Sequence, residues 1–115
     1  MPHLILECSD KIASNINFNS LFIHLHQYLA DNLPTQITSC KSRVRIYDNY
    51  FIGDEFEKNL FMHLTLKILP GRSAKIKNRI CEYIHHHLKG LVMNNDLEKT
   101  SISIELLELS AFYFK

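Results

Sequence analysis

The chain opens Met1-Pro2-His3, a start that offers a reactive group of its own. An initiator Met is readily removed when the next residue is small, and removal leaves Pro2 as a secondary amine at the head of an apolar run. An α-amino group titrates near ~8. Apolar burial and neighbouring cations both disfavour its charged form and lower that value. A one-unit drop takes the neutral fraction at pH 7 from about a tenth to about a half. Such an amine is a competent general base. Met-Pro is also simply a common opening, so the chemistry needs support from elsewhere in the chain.

Two other stretches offer cations. In Lys41-Ser42-Arg43-Val44-Arg45 the strand period of two puts Lys41, Arg43 and Arg45 on one face. Taken alone, this is the commoner pattern of a solvated strand face. In Pro70-Gly71-Arg72-Ser73 an arginine stands between a strand and a helix. Backbone N–H groups at a helix start and a guanidinium fork together make an anion site, although short Gly-Arg-Ser turns are frequent. The seven histidines suggest no metal site. His85, His86 and His87 are consecutive and would point about 100° apart on a helix, so they do not converge on one ion. His24 and His26 fail in the same way, and His63 stands alone in a strand. No HExxH or zinc-type Cys/His spacing occurs. Cys8 and Cys81 read as small buried hydrophobes rather than nucleophiles.

The elements that must position these residues follow from periodicity. Residues 3–8 form a short β-prone run ended by Ser9, Asp10 and Lys11. From about Asn17, Leu21, Phe22, Leu25, Tyr28 and Leu29 recur at helical spacing, with Asn17 or Asn19 as N-cap and Asn32-Leu33-Pro34 as the stop. A second extended run is expected from about Ile37 to Tyr47. A hairpin or irregular excursion around Gly53 follows over residues 48–59, then a third strand over residues 60–69. Pro70-Gly71 breaks that strand, and a helix is expected from about Ser73 to Val92. Its apolar stripe is Ile76, Ile80, Tyr83, Ile84, Leu88 and Leu91. Residues 101–109 form the fourth main strand.

The expected fold is therefore α+β. Two β-α-β units build a four-stranded mixed sheet, and right-handed crossovers place both helices on one face. Leu4, Leu6, Leu64 and Leu66 can line one side of the sheet, while Ile5, Met62 and Ile68 fall on mixed positions. With both sides partly apolar, the uncovered face is expected to be buried against other subunits.

A length of 115 residues points to a single domain over 1–115. Thirteen basic residues balance twelve acidic ones, for a formal net charge of +1, which argues against a general nucleic-acid binder. Three widely spaced cysteines, with no CxxC, fit a reducing compartment. No run approaches the ~18 apolar residues of a membrane span, so a cytoplasmic protein without a membrane partner is expected.

Three separated segments then agree with one another. Pro2-His3-Leu4-Ile5-Leu6-Glu7-Cys8-Ser9-Asp10, Ser42-Arg43-Val44, and His63-Leu64-Thr65-Leu66-Lys67-Ile68 followed by Gly71-Arg72-Ser73 resemble the 5-carboxymethyl-2-hydroxymuconate isomerase family. That family belongs to the tautomerase superfamily, with the 4-oxalocrotonate tautomerase and macrophage migration inhibitory factor groups. The resemblance covers nearly the whole chain in order and spacing. It implies the tautomerase fold, a homotrimer, and proton transfer by the amino-terminal proline on an unsaturated keto acid, with no metal or organic cofactor. Carried over, Pro2 is the catalytic base and Arg72 binds a substrate carboxylate. Lys41 stands where the family has a second arginine, keeping the charge but losing the bidentate fork. Arg43 matches a family residue expected to assist. The resemblance also implies active sites near subunit boundaries, with Lys41 supplied by a neighbour. Tyr47 and Tyr50 occupy a segment where relatives place tryptophans, so a reshaped pocket wall is expected. The tail Ala111-Phe112-Tyr113-Phe114-Lys115 is shorter than in the longer members. Two alternatives stay open beside the muconate isomerase: a non-catalytic trimeric binding protein of the same fold, and a tautomerase of phenylpyruvate-like enols.

Overall fold

The computed structural model of the chain describes residues 1–56 and 58–115. Strand β1 (His3–Ser9) leads through a single turn, α1 (Asp10–Ala13), into helix α2 (Phe18–Asn32). A 3₁₀ turn at Ile37–Ser39 precedes β2 (Lys41–Tyr47), and β3 (Phe51–Ile52) and β4 (Glu55–Phe56) form a small hairpin. The second half repeats the pattern with β5 (Leu60–Ile68), α3 (Ala74–Leu91), a turn α4 (Asn94–Leu97) and β6 (Thr100–Glu108).

The main sheet has the order β2-β1-β5-β6. Each β-α-β unit contributes a parallel pair, β1 with β2 and β5 with β6, and the two units join through antiparallel β1 and β5. Register places Leu4 opposite Leu66 and Leu6 opposite Leu64. These residues, with Cys8, Leu60, Met62 and Ile68, face the helices and are fully buried. Leu21, Leu25 and Leu29 of α2 and Ile80, Ile84 and Leu88 of α3 close the same apolar cluster from above. Both helices start as their sequences indicate. The Asn17 side chain accepts from the Ser20 N–H, and the Ser73 side chain accepts from the Ile76 N–H.

Three expectations need correction. The extended run from Ile37 is shorter, because residues 37–39 take a 3₁₀ turn and the strand begins at Lys41. Met62 and Ile68 are not at mixed positions. They share strand parity with Leu64 and Leu66, and parity alone decides the face. The uncovered face is consequently built mainly of polar side chains. On it Tyr47 donates to the Glu7 carboxylate at 2.7 Å, and His63 Nδ1 lies 2.7 Å from Ser103 Oγ. The hairpin expected around Gly53 is present, with Gly53 at φ 68 where a side chain would be strained. No helix among the described residues is long and apolar enough to cross a membrane.

Candidate active site

Topology gathers one end of the sheet. Because β1 runs against β5, the start of β1 lies beside the end of β5 and the turn that follows it. Pro2 therefore comes next to the segment carrying Arg72. Pro2 is buried, and its carbonyl accepts from the Lys41 N–H at 3.0 Å, extending the parallel pairing of β1 and β2 by one rung.

A cavity of about 380 Å³ opens at this end. Met1, Leu69, Arg72 and Lys115 line it together with Thr35, Gln36 and Ser39 from the loop after α2. Arg72 is half-buried and anchored by its backbone-facing donors, at 3.2 Å to the Pro34 carbonyl and 3.5 Å to that of Leu69. A guanidinium has five N–H donors, so the anchoring leaves others for an anion. No acidic side chain lines the cavity. The amine of Met1 is held below its ordinary value of 8.0, chiefly by burial and then by the positive charges of Lys115 and Arg72. Cys40 opposes that shift, and Lys41 adds to it more weakly.

The other residues singled out in the sequence are distributed differently. Lys41, Arg43 and Arg45 do share one exposed strand face, with Ser42 and Val44 turned the other way. Lys41 is exposed and directs its ammonium toward the Ser39 carbonyl at 3.5 Å rather than into the cavity. Arg43 lies on the uncovered sheet face, where its Nη1 donates to His3 Nδ1 at 3.1 Å. His3 is held neutral-leaning, its value lowered first by burial and then by Arg43 and Lys41. Because the guanidinium only donates, the His3 proton lies on Nε2, 2.8 Å from the Tyr113 hydroxyl. A second hollow of about 400 Å³ beside Arg43 is lined by Ile5, Glu7, Val44 and Arg45.

Tyr47 and Tyr50 do not wall the cavity within one chain. Both pack against Phe61, with centroids at 5.8 and 5.7 Å, at the opposite end of β1 from Pro2. Seven strand residues separate the two ends, roughly 20 Å. Cys8 is fully buried in the core and its thiol is pushed up to about 11 by burial, as suits an inert packed residue. Cys81 is only half-buried, its thiol likewise raised by burial.

Lys115 is the charged cavity residue that sequence reading missed. Spacing gives no hint of it, but topology does. Strand β6 runs parallel to β5, so a tail leaving β6 emerges at the same end as Leu69, Arg72 and Pro2.

Comparison with known proteins shows the family and the fold. A family model described as 5-carboxymethyl-2-hydroxymuconate isomerase matches residues 2–114. The 5-carboxymethyl-2-hydroxymuconate Delta-isomerase of Escherichia coli is 31% identical over 110 residues, covering 93% of this chain and 87% of the relative. Among solved structures, a 5-carboxymethyl-2-hydroxymuconate isomerase from Deinococcus radiodurans R1 superposes with a TM-score of 0.86 at 24% identity, covering 99% of this chain and 87% of the other. A macrophage migration inhibitory factor-like protein from Entamoeba histolytica shares the fold at a TM-score of 0.62 and 14% identity, with 99% and 95% covered.

Proposed function

Because the chain belongs to the 5-carboxymethyl-2-hydroxymuconate isomerase family, and so to the isomerases of the tautomerase superfamily, we propose that it catalyses a 1,3-proton shift. The substrate is an unsaturated 2-hydroxy or 2-oxo polycarboxylate such as 5-carboxymethyl-2-hydroxymuconate. Pro2, freed by removal of Met1, is the general base. The observation that carries this reading is the amino terminus opening on a cavity whose charged side chains are all cations.

In this mechanism the neutral Pro2 nitrogen takes a proton from one substrate carbon and becomes an ammonium. The electron pair left behind delocalises into a dienolate, and Arg72 binds the carboxylate and offsets the developing charge. The same proton then returns from Pro2 to a different carbon, so the cycle closes with no net proton change. The cations that depress the amine at Met1 would surround the Pro2 nitrogen in the same way, keeping a usable fraction neutral near pH 7.

The working assembly in this reading is a homotrimer with its sites near subunit boundaries. The exposed ammonium of Lys41, turned out of its own chain's cavity, supports its use in a neighbour's site. Arg43 assists indirectly, through the His3 ring beside Pro2.

The first test is the intact mass of the protein purified from its native host, followed by kinetics on a dicarboxylate dienol beside a monocarboxylate enol. The mass is expected to be short by one methionine. Arg72→Ala is expected to raise KM for the dicarboxylate by about 10- to 100-fold, the loss of charge-assisted hydrogen bonds to a carboxylate. A retained Met1, or full activity in the Arg72 variant, would overturn the assignment.

A further inference from the structure

The tail beyond β6 is short, yet it is held in place. The Phe112 N–H donates to Ser110 Oγ at 3.1 Å and the Tyr113 N–H to the Ser110 carbonyl at 3.1 Å, turning the chain back on itself. Tyr113 then stands edge-on to His3, with ring centroids 5.7 Å apart, and takes the His3 Nε2 hydrogen bond. His3 is in turn bonded by Arg43. One chain of contacts therefore ties the tail to the residue next to Pro2.

Two residues beyond this anchor, Lys115 lines the same cavity as Met1 and Arg72. Among the described residues neither Lys115 nor Arg72 has an ion-pair partner. Two cationic side chains that line one hollow with no acidic side chain repel one another until an anion arrives. A purely structural tail gains nothing from that arrangement. A binding site for a dianion does.

We propose that Lys115 is a carboxylate-binding residue of this site, acting with Arg72 in the same cavity and positioned by the Tyr113–His3 hydrogen bond. The inference deepens the isomerase reading above and rests on it for the identity of the reacting atoms. Lys115 and Arg72 would each take one end of a short dicarboxylate, which selects dicarboxylates over monocarboxylate enols. Tyr113 acts through Lys115, as a positioning residue.

The test uses the full-length mature protein and cis,cis-muconate, an unreactive dicarboxylate, as the calorimetric probe. Lys115→Ala is expected to weaken muconate binding about tenfold, the scale of one charge-assisted contact. Lys115→Arg restores it, and Tyr113→Phe weakens it by a smaller factor. In turnover, removing the Lys115 charge raises the pKa of the base, so the acid limb of kcat/KM moves to higher pH in Lys115→Ala but not in Lys115→Arg. Unchanged binding and an unmoved limb in Lys115→Ala would overturn the inference, as would a wild-type protein that does not bind muconate. Lys115-dependent muconate binding without turnover of any muconate-type dienol would leave the inference standing and remove the isomerase reading instead.

Discussion

The two ends of the central β1–β5 pair are built from equivalent parts and finished in opposite ways. At one end β1 runs out through Ser9 and Asp10 while β5 begins at Leu60 and Phe61. There the chain satisfies itself. Ser9 is fully buried, and its Oγ accepts the Phe61 N–H at 2.9 Å. At the other end β5 runs out through Leu69 and Arg72 while β1 begins at Pro2. That end keeps an open cavity, convergent cations and a depressed amine. Both turns follow a strand and lead into a helix, so topology does not explain the difference. What separates them is whether the polar groups find partners inside the chain. The closed end contributes stability, and the open end keeps the unbalanced charge that an anionic ligand can neutralise.

Substitutions at the two ends should therefore divide cleanly between kinetics and stability. The largest effect is expected at the open end. Pro2→Ala keeps an amine but makes it primary and less constrained, and kcat/KM is expected to fall about 100-fold, at the lower bound of general-base contributions. Thermal unfolding should hardly change. Wild-type rates in that variant, measured on the mature protein, would end the case for the open end as the catalytic one. At the closed end the pattern reverses. Ser9→Ala leaves the part-buried Phe61 N–H without its acceptor and is expected to cost about 1 kcal/mol of stability, with kcat/KM unchanged. A urea titration reads the first effect and the standard assay the second. Loss of activity without loss of stability in Ser9→Ala would erase the distinction between the ends.

A smaller effect sharpens the chemistry of the open end. Lys41→Arg supplies the planar fork that the family resemblance implies at this position, and KM for a dicarboxylate is expected to fall a few-fold through bidentate binding. An unmoved KM in the assembled protein would remove the case for a bidentate contact at Lys41.

The architecture was largely legible because it rests on periodicity. Leu21, Leu25 and Leu29, then Ile80, Ile84 and Leu88, announce two helix faces, and all six are buried as their spacing requires. Met62 and Ile68 share the face of Leu64 because strand parity, not each residue's own hydrophobicity, decides the side. The site was legible in pieces. Pro2 and Arg72 are far apart in sequence, and only the antiparallel register of β1 and β5 brings them together. Arg43 was grouped with Lys41 because they share a face, but a shared face does not mean a shared partner. His3 holds Arg43, while Lys41 turns toward Ser39. Lys115 lay beyond the reach of pattern reading altogether, since a seven-residue tail after Glu108 has no period to follow.

The smallest prediction concerns the helices that back both ends. His24 and His87 stack with centroids 4.4 Å apart, His24 Nε2 lies 2.6 Å from the Tyr83 hydroxyl, and Tyr83 stacks on Tyr28 at 3.8 Å. This ring ladder joins α2 to α3. The value of His87 is lowered by burial first, then by His24 and His86. His26, which bridges α2 to Ser42 of β2, is lowered by burial. For both groups the unfolded chain binds protons more readily than the folded one. As pH falls through the ordinary histidine value of about 6.5, protons therefore favour unfolding, and the loss levels off only below the folded-state values. Thermal unfolding temperature is expected to decline between pH 7 and pH 5, and more shallowly in His87→Gln, which removes a ring whose value is lowered in the fold. Muconate binding measured at pH 7 should be the same in His87→Gln as in the wild type, because the ladder lies on the helix side of the sheet and does not line the cavity. An identical pH slope in the variant would mean that His87 does not carry the acid sensitivity, and that the ladder holds α2 to α3 by packing alone.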